Sequence, residues 1–209
     1  LIASEPCFLL LDENNTKVLA IGEDAKAMLG KTHEKIHIVR PISNGVITDF
    51  NLTEALLNYF FKKVNGGFSF LQPRVVICVP SSITDIQARA VEDAALHAGS
   101  RDVILVDQTL AAAYGMDLSP DEPRGIFMLN LGAGISEASV VSLNGIISTK
   151  SIDKAGDYID DEIVEFFRNK LGLEIGKNTA ENVKKNLVSL KVSDKNNTMK
   201  VDGRDLETA

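Results

Sequence analysis

Residues 124–150 read RGIFMLNLGAGISEASVVSLNGIISTK. Its apolar run, Ile126–Leu131, has the length and branching typical of a buried strand. The turn Gly132-Ala133-Gly134 follows at once, and residues 136–143 then interleave polar with apolar side chains. Next comes Asn144-Gly145, a strong signal for a two-residue hairpin turn. The sequence therefore predicts a strand, a glycine turn, a strand, a tight turn and a final strand.

The glycine turn lies between two predicted strands and opens no helix. This argues against a dinucleotide-binding motif, whose glycines lead into a helix with its N-terminus at the phosphates. A glycine turn between antiparallel strands can still offer backbone N–H groups to an anion, because no Cβ blocks the approach. Since most such turns are purely structural, the residues alone leave both interpretations open.

Composition excludes several classes of protein. The chain has 209 residues, a formal net charge of −7 and 44% hydrophobic residues, which is ordinary for a globular protein with a sizeable core. The acidic balance predicts no nucleic-acid partner. Cys7 and Cys78 lie inside apolar runs and form no metal or disulfide framework, which favours a reducing, cytoplasmic compartment. No run is long enough to span a membrane. Because the chain begins at Leu1, we expect it to be a fragment.

Short elements precede the central stretch. Strands are predicted over residues 7–11, 17–21, 35–40, 45–48, 74–79 and 102–106, and helices over 23–29, 51–64, 84–98 and 109–114. Asn51 is the expected cap of its helix, with Glu54 at the capping-box position, and Thr84 with Gln87 is the equivalent pair in the next long helix. The order strand, helix, strand over residues 74–106 predicts a parallel crossover unit.

Two helices are predicted after the hairpins. Asp157 is the expected cap of the first, which ends at Gly172, and Thr179 is the expected start of the second. Their apolar faces are expected to consist of Ile159, Ile163, Phe166 and Phe167 in the first helix, and Val183, Leu187 and Leu190 in the second. Lys184 is expected on the polar side, and a short strand is expected over residues 199–201.

Several motifs occur in a fixed order along the chain. The first half contains Arg40-Pro41, Gly45-Val46-Ile47-Thr48-Asp49-Phe50, Pro73-Arg74-Val75-Val76 with Val79-Pro80, Ala90-Val91-Glu92-Asp93-Ala94-Ala95 and Ala111-Ala112-Ala113. The second half contains Ala155-Gly156-Asp157, Ile175-Gly176, Thr179-Ala180-Glu181 and Gly203-Arg204-Asp205-Leu206. Together these motifs resemble the MreB family of bacterial actins over nearly the whole chain.

This resemblance implies an α/β, actin-like fold of two lobes that close on a nucleotide. The expected first-lobe core is residues 1–9 and 51–120, with a small subdomain at 10–50. Residues 121–158 would form the truncated core of the second lobe, and residues 159–209 its truncated helical subdomain. The other phosphate turn and the adenine-side glycine segment would lie outside residues 1–209, so only part of the pocket is expected here.

The resemblance also assigns roles to individual residues. Gly132, Ala133 and Gly134 look like the second phosphate turn of a site for ATP and Mg²⁺. Glu181 and Lys184 match family positions that contact the sugar and base, and Asp49 matches an aspartate near the cleft. The residues alone also permit plainer roles, with Asp49 as a strand-end cap and Glu181 and Lys184 as a solvated, charge-paired helix edge.

This chain departs from the family pattern at three positions that the resemblance assigns to ATP hydrolysis. Asn130 replaces an aspartate that holds Mg²⁺ through water, and an amide lacks the charge that attracts the cation. Gln108 replaces a glutamate that orients the attacking water, and an amide cannot usefully accept a proton. Ile135 replaces a threonine, and its side chain has no hydroxyl to donate a hydrogen bond. We therefore expect weak or lost ATP hydrolysis, although Gln108 and Asn130 could also be ordinary polar residues at strand ends.

Phe68, Phe70 and Leu71 form an apolar loop between Gly67 and Pro73. In the resembled family a loop at this place inserts into the bilayer, and packing onto a neighbouring helix is the alternative. The family resemblance thus implies self-assembly into filaments at the inner face of the cell membrane, with cell-wall synthesis and shape proteins as partners.

The expected function is that of a nucleotide-binding cytoskeletal filament protein involved in bacterial cell shape. A chaperone or a sugar-kinase-like enzyme could use the same superfamily fold. That alternative needs a substrate-binding domain or a sugar-binding carboxylate, and the sequence shows neither. A decayed, non-functional copy is the third interpretation.

Overall fold

The computed structural model describes residues 1–15, 17–30, 36–66, 72–190 and 197–206. In chain order the elements are β1 (Leu9–Leu11), β2 (Val18–Ile21), α1 (Glu23–Lys26), β3 (His37–Val39), β4 (Ile42–Ser43), β5 (Val46–Ile47), α2 (Phe50–Val64), β6 (Arg74–Val79), α3 (Asp85–His97), β7 (Asp102–Asp107), α4 (Gln108–Gly115), β8 (Ile126–Leu131), β9 (Ser136–Ser142), β10 (Gly145–Ile152), α5 (Gly156–Leu171), β11 (Leu173–Glu174), α6 (Lys177–Leu187) and β12 (Arg204–Asp205). We call residues 1–120 the N-terminal half and residues 121–206 the C-terminal half.

A small antiparallel sheet with the order β2, β1, β3 opens the N-terminal half. Leu9 and Leu11 of β1 are buried and pack against Leu56 of α2. Burial of such side chains is the main stabilising term of this region. The predicted strands are present but shorter, with β1 beginning at Leu9 and not at Cys7, and the short strand β4 was not predicted.

Helix α2 starts one residue earlier than predicted, because its N-cap is Asp49 and not Asn51. The Asp49 carboxylate accepts a hydrogen bond from the N–H of Leu52 at 3.0 Å. Asn51 lies within the first turn of α2, so its prediction as the cap was wrong. Asp49 has extended backbone angles, as a helix cap requires, and its negative charge suits a helix N-terminus.

The predicted parallel crossover is confirmed. Strands β6 and β7 pair in parallel, from Arg74 opposite Asp102 to Val79 opposite Asp107. Helix α3 connects them, and its capping box is formed by Thr84 and by the Gln87 side chain.

The central stretch forms an antiparallel sheet with the order β10, β9, β8, and the glycine turn joins β8 to β9 as predicted. The following tight turn lies one residue earlier than predicted. Leu143 and Asn144 occupy its two centre positions with φ of 50° and 59°, and Gly145 pairs with Ser142 in the ladder. A two-residue turn of this type requires positive φ at both centres, which asparagine tolerates better than most residues.

Helix α4 covers one face of this sheet, and Ala113, Met128 and Val141 form the buried core between them. Because side chains alternate along a strand, Glu137 of β9 lies on the same covered face as Val141 and is buried too. Phe127 and the other apolar residues on the opposite face of β8 are exposed, so the prediction of a buried strand is right for one face of β8 and wrong for the other.

Helix α5 begins at Gly156 with Ala155 as its N-cap, so the prediction that Asp157 caps it was wrong. The Asp157 side chain instead forms an ion pair with Arg40, with 2.6 Å between Oδ2 of Asp157 and Nη1 of Arg40. The helix ends at Gly172 in the left-handed conformation, as predicted. Of the predicted apolar face, Ile159 and Phe166 are exposed.

Helix α6 begins at Lys177, two residues before the predicted Thr179. Val183 is buried as predicted, whereas Leu190 lies beyond the end of the helix and is fully exposed. The short strand expected over residues 199–201 is absent, and Arg204–Asp205 forms β12 instead, because it can pair with β11. None of the helices in the part of the chain described above is long and apolar enough to cross a membrane.

Candidate functional site

The glycine turn is held from one side by the first turn of α5. The carbonyl oxygens of Gly132 and Ala133 accept hydrogen bonds from the N–H groups of Gly156 and Asp157 at 3.1 and 2.7 Å. The N–H of Gly132 donates to the carbonyl of Ile135 at 2.9 Å. Within the described residues, the N–H groups of Ala133 and Gly134 have no hydrogen-bond partner. The turn therefore directs two of its carbonyls at α5, and backbone donors left in this way can bind an anion.

The β4–β5 hairpin of the N-terminal half lies against this turn. A Cβ atom at Gly134 would overlap Oδ1 of Asn44, and one at Gly45 would overlap Cγ of Pro80. The side chain of Ile135 also lies next to this hairpin, because a Cβ atom added to Gly45 would be 3.3 Å from Cδ1 of Ile135. Glycine at position 134 therefore permits the two turns to approach closely, and glycine at position 45 permits the hairpin to pack against Pro80.

A cavity of about 380 Å³ lies beside the turn, between the two halves of the chain. Its lining includes Ala133 of the glycine turn, Lys26 and Arg40 from the N-terminal half, and Asp157 and Glu181 from the C-terminal half. With Asp160 and Lys177, which also line it, three carboxylates and three cationic side chains surround this space. The sequence-predicted residues Ala133 and Glu181, 48 positions apart in the sequence, are brought together here.

Glu181 is held by lysines from both halves. Its carboxylate lies 2.8 Å from Nζ of Lys185 and 2.7 Å from Nζ of Lys26. Hydrogen bonds from Lys185 and then from Lys26 lower the pKa of Glu181 to about 2. The Arg40–Asp157 pair, at 2.6 Å, makes a second ionic connection between the halves.

Lys184 faces α5 and not solvent, which corrects the expectation that it lies on the polar side. Its Nζ donates to the carbonyl of Gly156 at 2.9 Å and to Oδ2 of Asp160 at 2.7 Å. Asp160 is only 7% exposed, and its Oδ1 is buried without a hydrogen-bond partner in the described part of the chain. Charge pairing between Glu181 and Lys184 along the helix is therefore not what positions either residue.

Gln108 lies at the start of α4 and reaches the buried carboxylate of Glu137. Its Nε2 donates to Glu137 at 3.0 Å, and the hydroxyls of Thr109 and Ser151 donate to the same carboxylate at 3.1 and 3.2 Å. Burial on its own would raise the pKa of Glu137, but these donors together hold that pKa below its usual value. Glu137 is thus a buried anion surrounded by neutral donors.

Asn130 and Asp49 occupy different surroundings. Asn130 lies on β8 directly opposite Glu137, on the face of the sheet that α4 covers. Asp49 caps α2 and lines a separate cavity of about 540 Å³ next to β3. The plain interpretation of Asp49 as a cap is realised, although at a helix and not at a strand end.

The residues fit a nucleotide better than a bare metal ion. Two unpaired backbone donors suit a phosphate, and cationic side chains line the adjacent cavity. For a metal ion, Asn130 supplies only a neutral oxygen, and the described residues contain no group of three or more His, Cys, Asp or Glu side chains that could hold one. Phe68, Phe70 and Leu71, predicted to contact a membrane, lie outside the described residues.

Sequence reasoning missed Glu137, Lys26 and Asp160. The polar alternation in β9 was visible, but alternation does not tell which face is buried. Lys26 and Glu181 are 155 positions apart in the sequence, so no local sequence pattern could predict their contact.

Comparisons with known proteins give a consistent result. The family model described as MreB/Mbl protein matches residues 1–209. The cell shape-determining protein Mbl of Bacillus subtilis (strain 168) is 35% identical over 206 residues, which cover 99% of this chain and 62% of that protein. The cell shape-determining protein MreB of Escherichia coli (strain K12) is 36% identical over 212 residues, with 99% and 61% covered. The chain thus spans less than two thirds of the length of these relatives.

Solved structures agree with the sequence matches. MreB5 of Spiroplasma citri bound to ADP superposes with a TM-score of 0.91 at 29% identity, covering 98% of this chain and 61% of that one. The AMPPNP-bound form of MreB5 gives the same score and covers 62% of its chain. The MamK double helical filament shares the fold, with a TM-score of 0.69 at 18% identity, and the match covers 86% of this chain and 57% of the MamK chain.

Proposed function

The chain belongs to the MreB/Mbl family, and from this we propose that it is part of an actin-like filament protein that maintains bacterial cell shape. Its fold is actin-like, as the match to MreB5 and MamK shows. We further propose the lobe division given by the resemblance, with the lobes meeting at the cavity beside the glycine turn. The names of the curated relatives support the role in cell shape.

We propose that Gly132, Ala133 and Gly134 hold phosphates of ATP or ADP. The observation that carries this proposal is that the N–H groups of Ala133 and Gly134 have no partner among the described residues, while the carbonyls of Gly132 and Ala133 are bonded to α5. The nucleotides bound to MreB5 support it by analogy. Backbone donors aimed at a phosphate need no further reorganisation when the ligand arrives.

Glu181 and Lys184 are the side chains we propose for the sugar and base. Both are already fixed, Glu181 by two lysines and Lys184 by Asp160 and the Gly156 carbonyl. Glu181 also lines the cavity. A ribose hydroxyl can donate a hydrogen bond to the Glu181 carboxylate while Glu181 keeps an ion pair, because an ionised carboxylate has about four acceptor positions.

We propose that ATP hydrolysis is weak or lost. The neutral side chains Gln108, Asn130 and Ile135 replace groups that would orient water, hold Mg²⁺ and donate a hydrogen bond. Magnesium would then be held chiefly by the phosphates, as is common for this ion. Asp49 matches an aspartate that lies near the cleft in the resembled family. In this chain it also caps α2, which is a structural role.

Phosphate release by the full-length protein tests this proposal. The parent should release phosphate much more slowly than an active bacterial actin. The triple variant Gln108→Glu, Asn130→Asp and Ile135→Thr should be faster than the parent. The matched control carries the same three kinds of change at helix N-terminal turns, Gln87→Glu, Asn51→Asp and Ile86→Thr, and should not change the rate. Parent turnover equal to that of an active actin would refute the loss of hydrolysis.

Filament assembly and membrane contact are proposed from the family and need their own test. Pelleting and electron microscopy with liposomes should show ordered filaments on lipid. Replacing Phe68, Phe70 and Leu71 by serine should abolish lipid pelleting, whereas serine at the exposed Ile86 should not. We propose the inner face of the cell membrane as the location, with shape and cell-wall synthesis proteins as partners.

The alternative of a chaperone or sugar-kinase-like enzyme is not favoured. The family model and the curated relatives describe MreB and Mbl proteins, and the structural neighbours are MreB5 and MamK. A non-functional copy would not assemble into filaments, so the pelleting experiment above also tests that interpretation.

A further inference from the structure

We infer that Gln108 and Glu137 form a buried tie between the two halves of the chain, in which the Gln108 amide holds the halves together and does not orient an attacking water. Gln108 belongs to the N-terminal half and Glu137 to the C-terminal half, and the two side chains meet at 3.0 Å. The tie rests on this contact and its surroundings and does not depend on nucleotide binding.

The acceptor of this tie is completely enclosed. Glu137 is 1% exposed. Its Oε2 accepts from Gln108 and from the Thr109 hydroxyl, and its Oε1 accepts from the Ser151 hydroxyl at 3.2 Å. Ser81, at the end of the β6 region, extends the cluster through a 3.4 Å contact with Thr109. Donors from both halves therefore converge on one carboxylate.

Rigid elements position both partners. Gln108 is the first residue of α4, and the Asp107 carboxylate fixes that helix start by accepting from the N–H groups of Thr109 and Leu110 at 2.7 and 3.1 Å. Glu137 lies in the middle strand of its sheet, opposite Asn130 on one side and Ser151 on the other. Neither side chain depends on a loop for its position.

The chemistry requires an amide at position 108. An ionised carboxylate only accepts hydrogen bonds, whereas a glutamine amide also donates two. A glutamate side chain at this position would have no proton to give to Glu137 and would bring a second negative charge to a buried acceptor. Gln108 therefore supplies something that the glutamate of the resembled family cannot.

The same bond limits what Gln108 can do in the cleft. Its nitrogen is committed to Glu137, which fixes the orientation of the amide plane. If Gln108 were only a weakened water-orienting group, changing it to glutamate would leave stability unaffected. If it is a tie, that change costs stability, and the cost depends on the residue at position 137.

A double-mutant cycle on the full-length protein, without nucleotide, separates these cases. The variants are Gln108→Glu, Glu137→Gln and the two together, which reverse the direction of the amide–carboxylate hydrogen bond. Gln108→Glu alone should lower Tm by at least about 4 °C, from the loss of a hydrogen bond to a buried charge in a domain of this size. The double variant should have a higher Tm than Gln108→Glu alone, because the amide introduced at position 137 can donate to the carboxylate introduced at position 108.

Two single variants serve as controls for the Tm loss expected of Gln108→Glu. Gln87→Glu makes the same change in the exposed capping box of α3, where glutamate serves equally well, and should shift Tm by less than about 1 °C. Glu137→Gln alone should be mild, because the hydroxyls of Thr109 and Ser151 can accept from the new amide.

Two outcomes would overturn the tie. One is a Gln108→Glu protein with the Tm of the parent. The other is strict additivity of the two single changes in the double variant. Because the cycle is measured without nucleotide, its failure would not affect the phosphate-release rate of the parent, and a fast parent rate would not affect the cycle.

Discussion

Two of the regions in which the described parts of the two halves meet have opposite physical character. At Glu137 a single carboxylate is buried and receives only neutral donors. At the cavity, ion pairs join Lys26 to Glu181 and Arg40 to Asp157, with side chains that remain 25–35% exposed. The first region depends on close hydrogen-bond geometry, whereas the second depends on charge.

This difference determines how each region responds to its surroundings. A hydrogen bond to a buried charge contributes about 1.5–3 kcal/mol, and removing one partner costs the full desolvation of the other. Partly exposed ion pairs contribute about 0–1 kcal/mol and are screened by salt. The buried region therefore fixes how the halves fit together, and the ionic region can exchange partners with a charged ligand.

The largest expected effect is that of Glu137→Ala. It removes the acceptor of three donors and leaves a cavity, so we expect the free energy of unfolding to fall by about 3–5 kcal/mol. Urea unfolding measures this change. Glu162→Ala, at an exposed glutamate of α5, is the control and should be close to neutral. A loss below about 1 kcal/mol at Glu137 would remove the contrast between the regions.

Asp160→Asn should have the next largest effect. It removes the charge that pairs with the mostly buried Lys184 at 2.7 Å, and we expect a loss of about 2 kcal/mol. Asp161→Asn is the matched control, because the neighbouring Asp161–Lys177 pair is more than half exposed and should contribute under about 0.5 kcal/mol. Equal losses in these two variants would show that burial does not govern ion-pair strength here.

Glu181→Gln should cost about 1 kcal/mol at pH 7, since both ion pairs lose their carboxylate. The folded-state pKa of Glu181, about 2, lies below its usual value of 4.5. The stabilisation is therefore complete above the unfolded-state pKa and is lost as the pH falls from 4.5 towards 2. The Tm difference between parent and variant should shrink over that range. A difference that stays constant with pH would contradict this account.

Lys26→Gln should have the smallest effect, about 0.5 kcal/mol, because only one partly exposed pair is lost. The loss should largely disappear in about 1 M salt, where the screening length falls to about 3 Å. Arg74→Gln, which removes a more exposed pair within the N-terminal half, is the control for general salt effects. A Lys26 effect that persists in high salt would place this contact with the buried region.

Local patterns predicted much of the fold. The apolar run of β8, the glycine turn and the capping box of α3 each carry their signal within a few residues, and all three are present. The helix starts were less predictable. Asp49 and Asn51 are both good caps, and the extended backbone before α2 selects Asp49.

The candidate site was predictable only where a local motif carried it. Gly132 to Gly134 form such a motif, but the inward direction of Glu137 depends on which face α4 covers. Lys26, one of the two partners of Glu181, comes from the distant α1, and Asp160, the carboxylate that pairs with Lys184, comes from α5. Packing of the whole chain decides these contacts, and periodicity does not encode them.

The proposed cleft, which would hold nucleotide but hardly cleave it, is tested by following the identity of the bound nucleotide over time. Full-length protein is loaded with ATP and Mg²⁺, separated from free nucleotide, and the bound nucleotide is quenched and identified at intervals. We predict that ATP is retained and remains mostly uncleaved throughout. Conversion to ADP at the rate of an active bacterial actin, or no retained nucleotide at all, would contradict the account.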